Sequence, residues 1–133
     1  MDCSVTMGWC FEDEGDDSSE AILDVLGPWE AVVPSIWSFE VANTLLVGER
    51  RKRISKLDSS NFLSFLAVLP VTIDDSSTGR ALGPILALAR EYGLSAYDAA
   101  YLELAMRESL PLATRDRVLE RTAVSLGVSV VSR

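Results

Sequence analysis

The sequence predicts an α/β fold, a short and mainly parallel sheet covered by helices. Three observations carry this. Apolar runs at residues 31–33, 71–73, 110–113 and 128–131 have the length of buried strands rather than helices. Longer stretches with apolar residues at three- and four-residue spacings lie between them. Strand and helix alternate, and strands joined through helices are expected to pair in parallel.

In chain order, a first helix is expected over residues 16–26, closed by Gly27-Pro28. Residues 31–33 form a strand stopped by Pro34, and Ser35 caps a helix over 36–50 with Ile36, Phe39, Val41, Leu45 and Leu46 on its apolar side. The run Arg50-Arg51-Lys52-Arg53, behind Glu49, is a charged break. Asp58 or Ser59 starts the next helix, which carries Phe62, Leu63, Phe65 and Leu66 and ends at Pro70. Val71-Thr72-Ile73 is a strand. Ser76 or Ser77 caps a helix through Tyr92 that Gly93 closes, and Ser95 caps another over 96–108. Residues 110–113 form a strand, a helix from Arg115 to Leu126 ends at Gly127, and residues 128–131 form the last strand. There is no internal repeat, low-complexity segment or linker, and 133 residues suit one domain.

Composition narrows the chemistry. Hydrophobic residues at 48% and charged residues at 24% are ordinary for a soluble domain. No apolar run approaches a bilayer span, and Met1-Asp2-Cys3-Ser4 does not open like a signal peptide, so a cytoplasmic protein without membrane contact is expected. Cys3 and Cys10 match no zinc spacing. The chain has no histidine, which excludes Ser-His-Asp and Cys-His catalysis. A metal would have to be held by oxygen ligands, which suits Mg²⁺ or Mn²⁺. The net charge of −8 is unusual for a nucleic-acid binder unless the acids are offset where they gather, and divalent cations supply such an offset.

Sites in parallel sheets gather at the carboxyl ends of the strands. Four acids stand out by that rule: Asp2 at the opening, Glu40 one turn into the second helix with Asn43 three residues on, Asp98 in the first turn after Ser95, and Asp116 after the strand at 110–113. Carboxylates sharing a pocket need a counter-charge. Bound divalent ions provide it, lower the pKa of water and stabilise the leaving oxygen of an in-line displacement, which makes a phosphodiester the natural substrate. Each acid also has a plain structural reading. Asp98 completes a Ser-x-x-Asp capping box, Asp116 caps the last helix, and Asp2 is solvated near a terminus. Glu40 sits among Phe39, Val41 and Ala42, where a buried carboxylate needs a partner.

The order of four blocks resembles the PIN-domain family, and within it the VapC-like toxins. Asp2-Cys3-Ser4-Val5 with Gly8-Trp9 looks like the opening block, and Pro34-Ser35 through Phe39-Glu40-Val41-Ala42-Asn43 like the second. Leu94-Ser95-Ala96-Tyr97-Asp98-Ala99-Ala100-Tyr101-Leu102-Glu103-Leu104-Ala105 is similar to the third, and Leu112-Ala113-Thr114-Arg115-Asp116-Arg117-Val118-Leu119 to the fourth. The resemblance implies a three-layer sandwich with a short central, mainly parallel sheet. It also implies a metal-dependent endoribonuclease acting as the toxin of a toxin–antitoxin pair. Asp2, Glu40, Asp98 and Asp116 would be the catalytic, metal-binding acids for Mg²⁺ or Mn²⁺, with Ser4, Asn43 and Thr114 in support. RNA, commonly tRNA or ribosomal RNA, would be cut to a 3′-hydroxyl and a 5′-phosphate, and a cognate antitoxin would silence the enzyme.

One departure from the family pattern is the single residue before Asp2, too few for the usual first strand. Residues 1–133 are therefore expected to form a single PIN-like domain whose first strand is cut short before Asp2. Intact mass of the protein from its native locus checks this, and a mass beginning at Met1 would refute it.

Arg115 and Arg117 bracket Asp116 and are expected to meet RNA, with Arg121 beside them; the 50–53 run is either an RNA guide or a solvated helix end. Trp9, Trp29, Trp37 and the phenylalanines read as core or interface, with base stacking the alternative. The apolar helices between residues 16 and 66 offer a groove for an antitoxin helix or a homodimer surface. The rival reading is a non-catalytic PIN-like binding module that kept the fold. A nucleotide-binding domain lacks support, because no glycine-rich phosphate loop occurs.

Overall fold

The computed structural model describes residues 31–131. The order is β1 (Ala31–Pro34), α1 (Ile36–Arg50), α2 (Lys56–Ala67), β2 (Val71–Asp74), α3 (Ser77–Arg80), a π-helical turn (Ala81–Ile85), α4 (Leu86–Tyr92), α5 (Ala96–Glu108), β3 (Leu112–Ala113), α6 (Arg117–Ser125) and β4 (Val130–Val131). The expected helix at 16–26 and the opening block with Asp2, Ser4 and Trp9 lie outside the described residues, as does Trp29.

The α/β alternation is present and the pairing is parallel. β1 lies beside β2 with Ala31 opposite Val71 and Pro34 opposite Asp74. β3 lies beside β4 with Leu112 opposite Val130. Among the described residues these are two separate two-stranded sheets. The last two strands are shorter than expected, because helix ends claim their flanking amides. Leu110 N–H donates to the Ala105 carbonyl and Val128 N–H to that of Ala123, while Pro111 has no N–H to give.

Capping sets the helix starts. Ser55, not Asp58 or Ser59, caps α2: its Oγ accepts from Asp58 N–H and Asp58 Oδ2 accepts from Ser55 N–H, both at 3.0 Å. The motif is the Ser-x-x-Asp pattern also expected at 95–98. Ser95 does cap α5, accepting from Asp98 N–H at 3.1 Å. Ser35 stands before α1 but makes no side-chain cap; its hydroxyl meets that of Thr78 at 2.9 Å. Ser76 and Ser77 likewise leave the helix amides and donate to Asp74. α6 begins two residues later than expected, since Asp116 is its cap. Within the helix expected from 76 or 77 to 92, Pro84 offers no N–H, and the chain widens into a π turn in which Leu86 N–H reaches the Ala81 carbonyl. Gly93 closes α4 at φ 65°.

The core is built around α5, on which every residue from Ala99 to Ala105 is buried. Val33 of β1, Leu112 of β3 and Leu119 and Ala123 of α6 meet it, and α1 adds Trp37, Val41 and Leu45 at four-residue spacing. That stripe is narrower than expected: Phe39 is 73% and Leu46 46% exposed. On α2 only Phe62 of the expected apolar residues is buried, with Leu66 partly so. No helix among the described residues is long and apolar enough to cross a membrane.

Candidate active site

Glu40 lies one turn into α1 and is half-buried. A carboxylate in that position needs a donor, and Tyr101 supplies one: its hydroxyl donates to Glu40 Oε1 at 2.7 Å. Tyr101 is itself buried, so the phenol is held by packing on all sides. Asp98 is half-buried in the first turn of α5. It stands three residues before Tyr101 and thus on the same side of the helix. The Tyr101 bond therefore ties Glu40 to α5 one turn beyond Asp98. Asn43, three residues after Glu40, is exposed, and the Glu40 carbonyl accepts from the Thr44 hydroxyl at 2.8 Å.

Asp116 is exposed and serves as the cap of α6. Its Oδ1 accepts from Val118 N–H at 2.9 Å and Leu119 N–H at 3.0 Å; Oδ2 takes no part in these bonds. Thr114 is buried, and its hydroxyl accepts from Asp116 N–H at 3.0 Å, fixing the turn that presents the acid. Arg115 is half-buried and Arg117 exposed. Among the described residues no three acids gather as a group that could hold a metal ion. Asp2 and Ser4 fall outside them. The structure thus joins Glu40 to Tyr101, three residues along α5 from Asp98, and finds Asp116 in a capping role.

Two features lay beyond the sequence reading. Tyr101 was part of a motif without a role, although a buried acid on a neighbouring helix requires just such a donor. The second feature is a part-buried ionic network around Glu103. Glu103, buried on α5, meets Arg80 at 2.6 Å and Arg107 at 3.0 Å, and Arg107 meets Asp74 of β2 at 2.6 Å. The signals were an acid inside an apolar helix, an arginine four residues on, and an aspartate directly after a strand.

Burial pushes the Asp74 carboxyl up, but bonds from Arg107, Ser77 and Ser76 more than offset this and hold it at about 2. The Arg107 guanidinium is raised in turn by Glu103 and Asp74. Since Asp74 sits below its ordinary 3.8, its contribution to stability is complete above that pH and drains away as pH falls toward 2. Asp74→Asn is expected to cost about 2 kcal/mol at neutral pH. It should also flatten the fall in stability between those two pH values, as read by urea unfolding across an acid series.

Comparison with known proteins gives the family. Ribonuclease VapC3 from Pyrobaculum aerophilum is 35% identical over 82 residues, which are 62% of this chain and 63% of that protein, so the chain spans less than two thirds of its relative's length. A family model described as the PIN domain matches residues 1–125, taking in all four expected acids and each described element except β4. By that match, the chain belongs to the PIN domain family.

Proposed function

We propose that this chain is a metal-dependent endoribonuclease, the toxin of a toxin–antitoxin pair, which hydrolyses RNA phosphodiesters. The observation that carries the reading is the Tyr101–Glu40 bond, in a PIN domain whose α5 presents Asp98 on the same side. Likeness to a protein named a ribonuclease supports the substrate class.

The donor set fits a hard divalent cation in kind: it is carboxylate oxygen throughout, in a chain without histidine. Glu40, Asp98 and Asp116, with Asp2, are the residues that would hold it. When bound, Mg²⁺ or Mn²⁺ supplies Lewis acidity, lowering the pKa of water and offsetting charge on the phosphodiester. The chain's own residues do the positioning. Tyr101 fixes one Glu40 oxygen and so limits the carboxylate's rotation, Thr114 fixes the Asp116 turn, and Arg115 and Arg117 meet phosphate on either side of Asp116. The same reading includes an antitoxin and a homodimer. A groove of about 340 Å³, lined by Trp37, Val41, Leu63, Leu66, Val71 and Ile73, supports docking of an apolar partner.

Cleavage of a total tRNA and ribosomal RNA pool with Mn²⁺ tests the function. Fragments ending in 3′-hydroxyl and 5′-phosphate that vanish in EDTA are expected; an intact pool favours the non-catalytic module. Asp116 allows its two roles to be separated. Asp116→Ala removes cap and charge and should cost about 1 kcal/mol of stability as well as activity. Asp116→Asn keeps a capping oxygen, so its melting temperature should stay near that of the parent while cleavage falls.

A further inference from the structure

Arg50 ends α1 and Arg51, Lys52 and Arg53 form the turn after it, and all four are exposed. One or two cations would satisfy the helix dipole; the run has four. Its backbone is closed by three bonds: Arg51 N–H donates to the Val47 carbonyl at 2.9 Å, Lys52 N–H to the Glu49 carbonyl at 3.1 Å and Arg53 N–H to the Gly48 carbonyl at 2.9 Å. Between them Lys52 adopts φ 59°, in the left-handed region. Elsewhere among the described residues that demand falls on Gly93, Gly127 and the small Ser109. Here it accepts the strain of a long cationic side chain.

Nearby acids are turned to other uses. Glu49 Oε2 accepts from the buried Ser59 hydroxyl at 2.6 Å, and Asp58 is held in the capping box with Ser55. Among the described residues no ion pair engages Arg50, Arg51 or Lys52. Three of the chain's 12 cations thus stand side by side without an ion pair among the described residues, in a molecule of net charge −8. Arg50 lies on the same helix as Glu40 and ten residues along it, about 15 Å away on the axis.

We propose that this turn is a phosphodiester-binding surface that holds RNA flanking the scissile bond. The inference rests on the ribonuclease reading and adds the direction the substrate takes, along α1 away from Glu40. Several adjacent cations match the repeated charges of a polynucleotide backbone rather than a single phosphate. Continuity with Glu40 on one helix favours substrate over a membrane or an acidic protein.

The test uses the full chain in EDTA and a fluorescent uridine homopolymer of about 20 nucleotides, enough to cover a typical single-strand site. Anisotropy is followed across a salt series. The triple variant Arg50→Ala/Arg51→Ala/Lys52→Gly should bind about tenfold more weakly or worse, with a salt slope shallower by about 2, near 0.7 for each lost contact. Lys52→Gly alone should lower the slope by about 0.7 while raising the melting temperature, because strain is relieved. Unchanged affinity and slope in the triple variant would overturn the proposal. So would tighter binding of phosphatidylserine vesicles or polyglutamate than of RNA, lost in the same variant. EDTA separates this from catalysis. Variant-sensitive binding by a chain that never cleaves would sink the nuclease reading alone, and cleavage with variant-insensitive binding would sink this surface alone.

Discussion

Asp98→Asn is expected to lower RNA cleavage by about 100-fold or more, since loss of even a group supporting a metal ligand costs 10- to 100-fold. That corresponds to about 2.7 kcal/mol on the barrier. The substitution is nearly isosteric. The cap of α5 is made by Ser95 Oγ to the Asp98 backbone, which an asparagine leaves in place. Stability should therefore change little, and a rate loss without a melting shift would assign Asp98 to chemistry rather than to helix initiation. A variant that cleaves at the parental rate would return Asp98 to its structural reading. Glu40→Gln should behave alike, because glutamine keeps an oxygen for the Tyr101 hydroxyl.

Arg107→Ala should have the largest effect on stability. Arg107 joins Glu103 and Asp74, whose side chains are only 8% and 15% exposed, and its removal leaves Asp74 without a cationic partner. Breaking a fully buried pair by deleting one partner costs about 3–5 kcal/mol, and this part-buried one should fall at or just below the lower end of that range. Against a total of about 5–15 kcal/mol for an ordinary domain, this brings the fold near its limit. Arg80→Ala should cost less, since Arg80 is 39% exposed and Arg107 still faces Glu103. Urea unfolding of both variants measures the difference. Equal and small losses would mean that the network merely fills space.

Much of the α/β order could be read from residue spacing. Gly93 and Gly127 end helices where the chain turns left-handed, and Ser95 starts α5 because its hydroxyl has an amide to meet. The start of α2 is harder to place from sequence, because Asp58 is more conspicuous than Ser55 although the pair works only together. Phe39 and Leu46 were assigned to a buried stripe by hydrophobicity, while packing around α5 draws on Trp37, Val41 and Leu45 instead. Of the site, Glu40 was legible as the acid that local structure explained least. Its partner was not, because 61 residues separate Glu40 from Tyr101. Spacing along one chain cannot show which helices meet.

Calorimetric titration with Mn²⁺ tests whether Glu40 and Asp98 hold a divalent cation together. Saturable binding to the parent chain is expected, lost in Glu40→Gln and in Asp98→Asn while both variants melt near the parental temperature. A parent chain that takes up no Mn²⁺, or variants that bind it as the parent does, would contradict it.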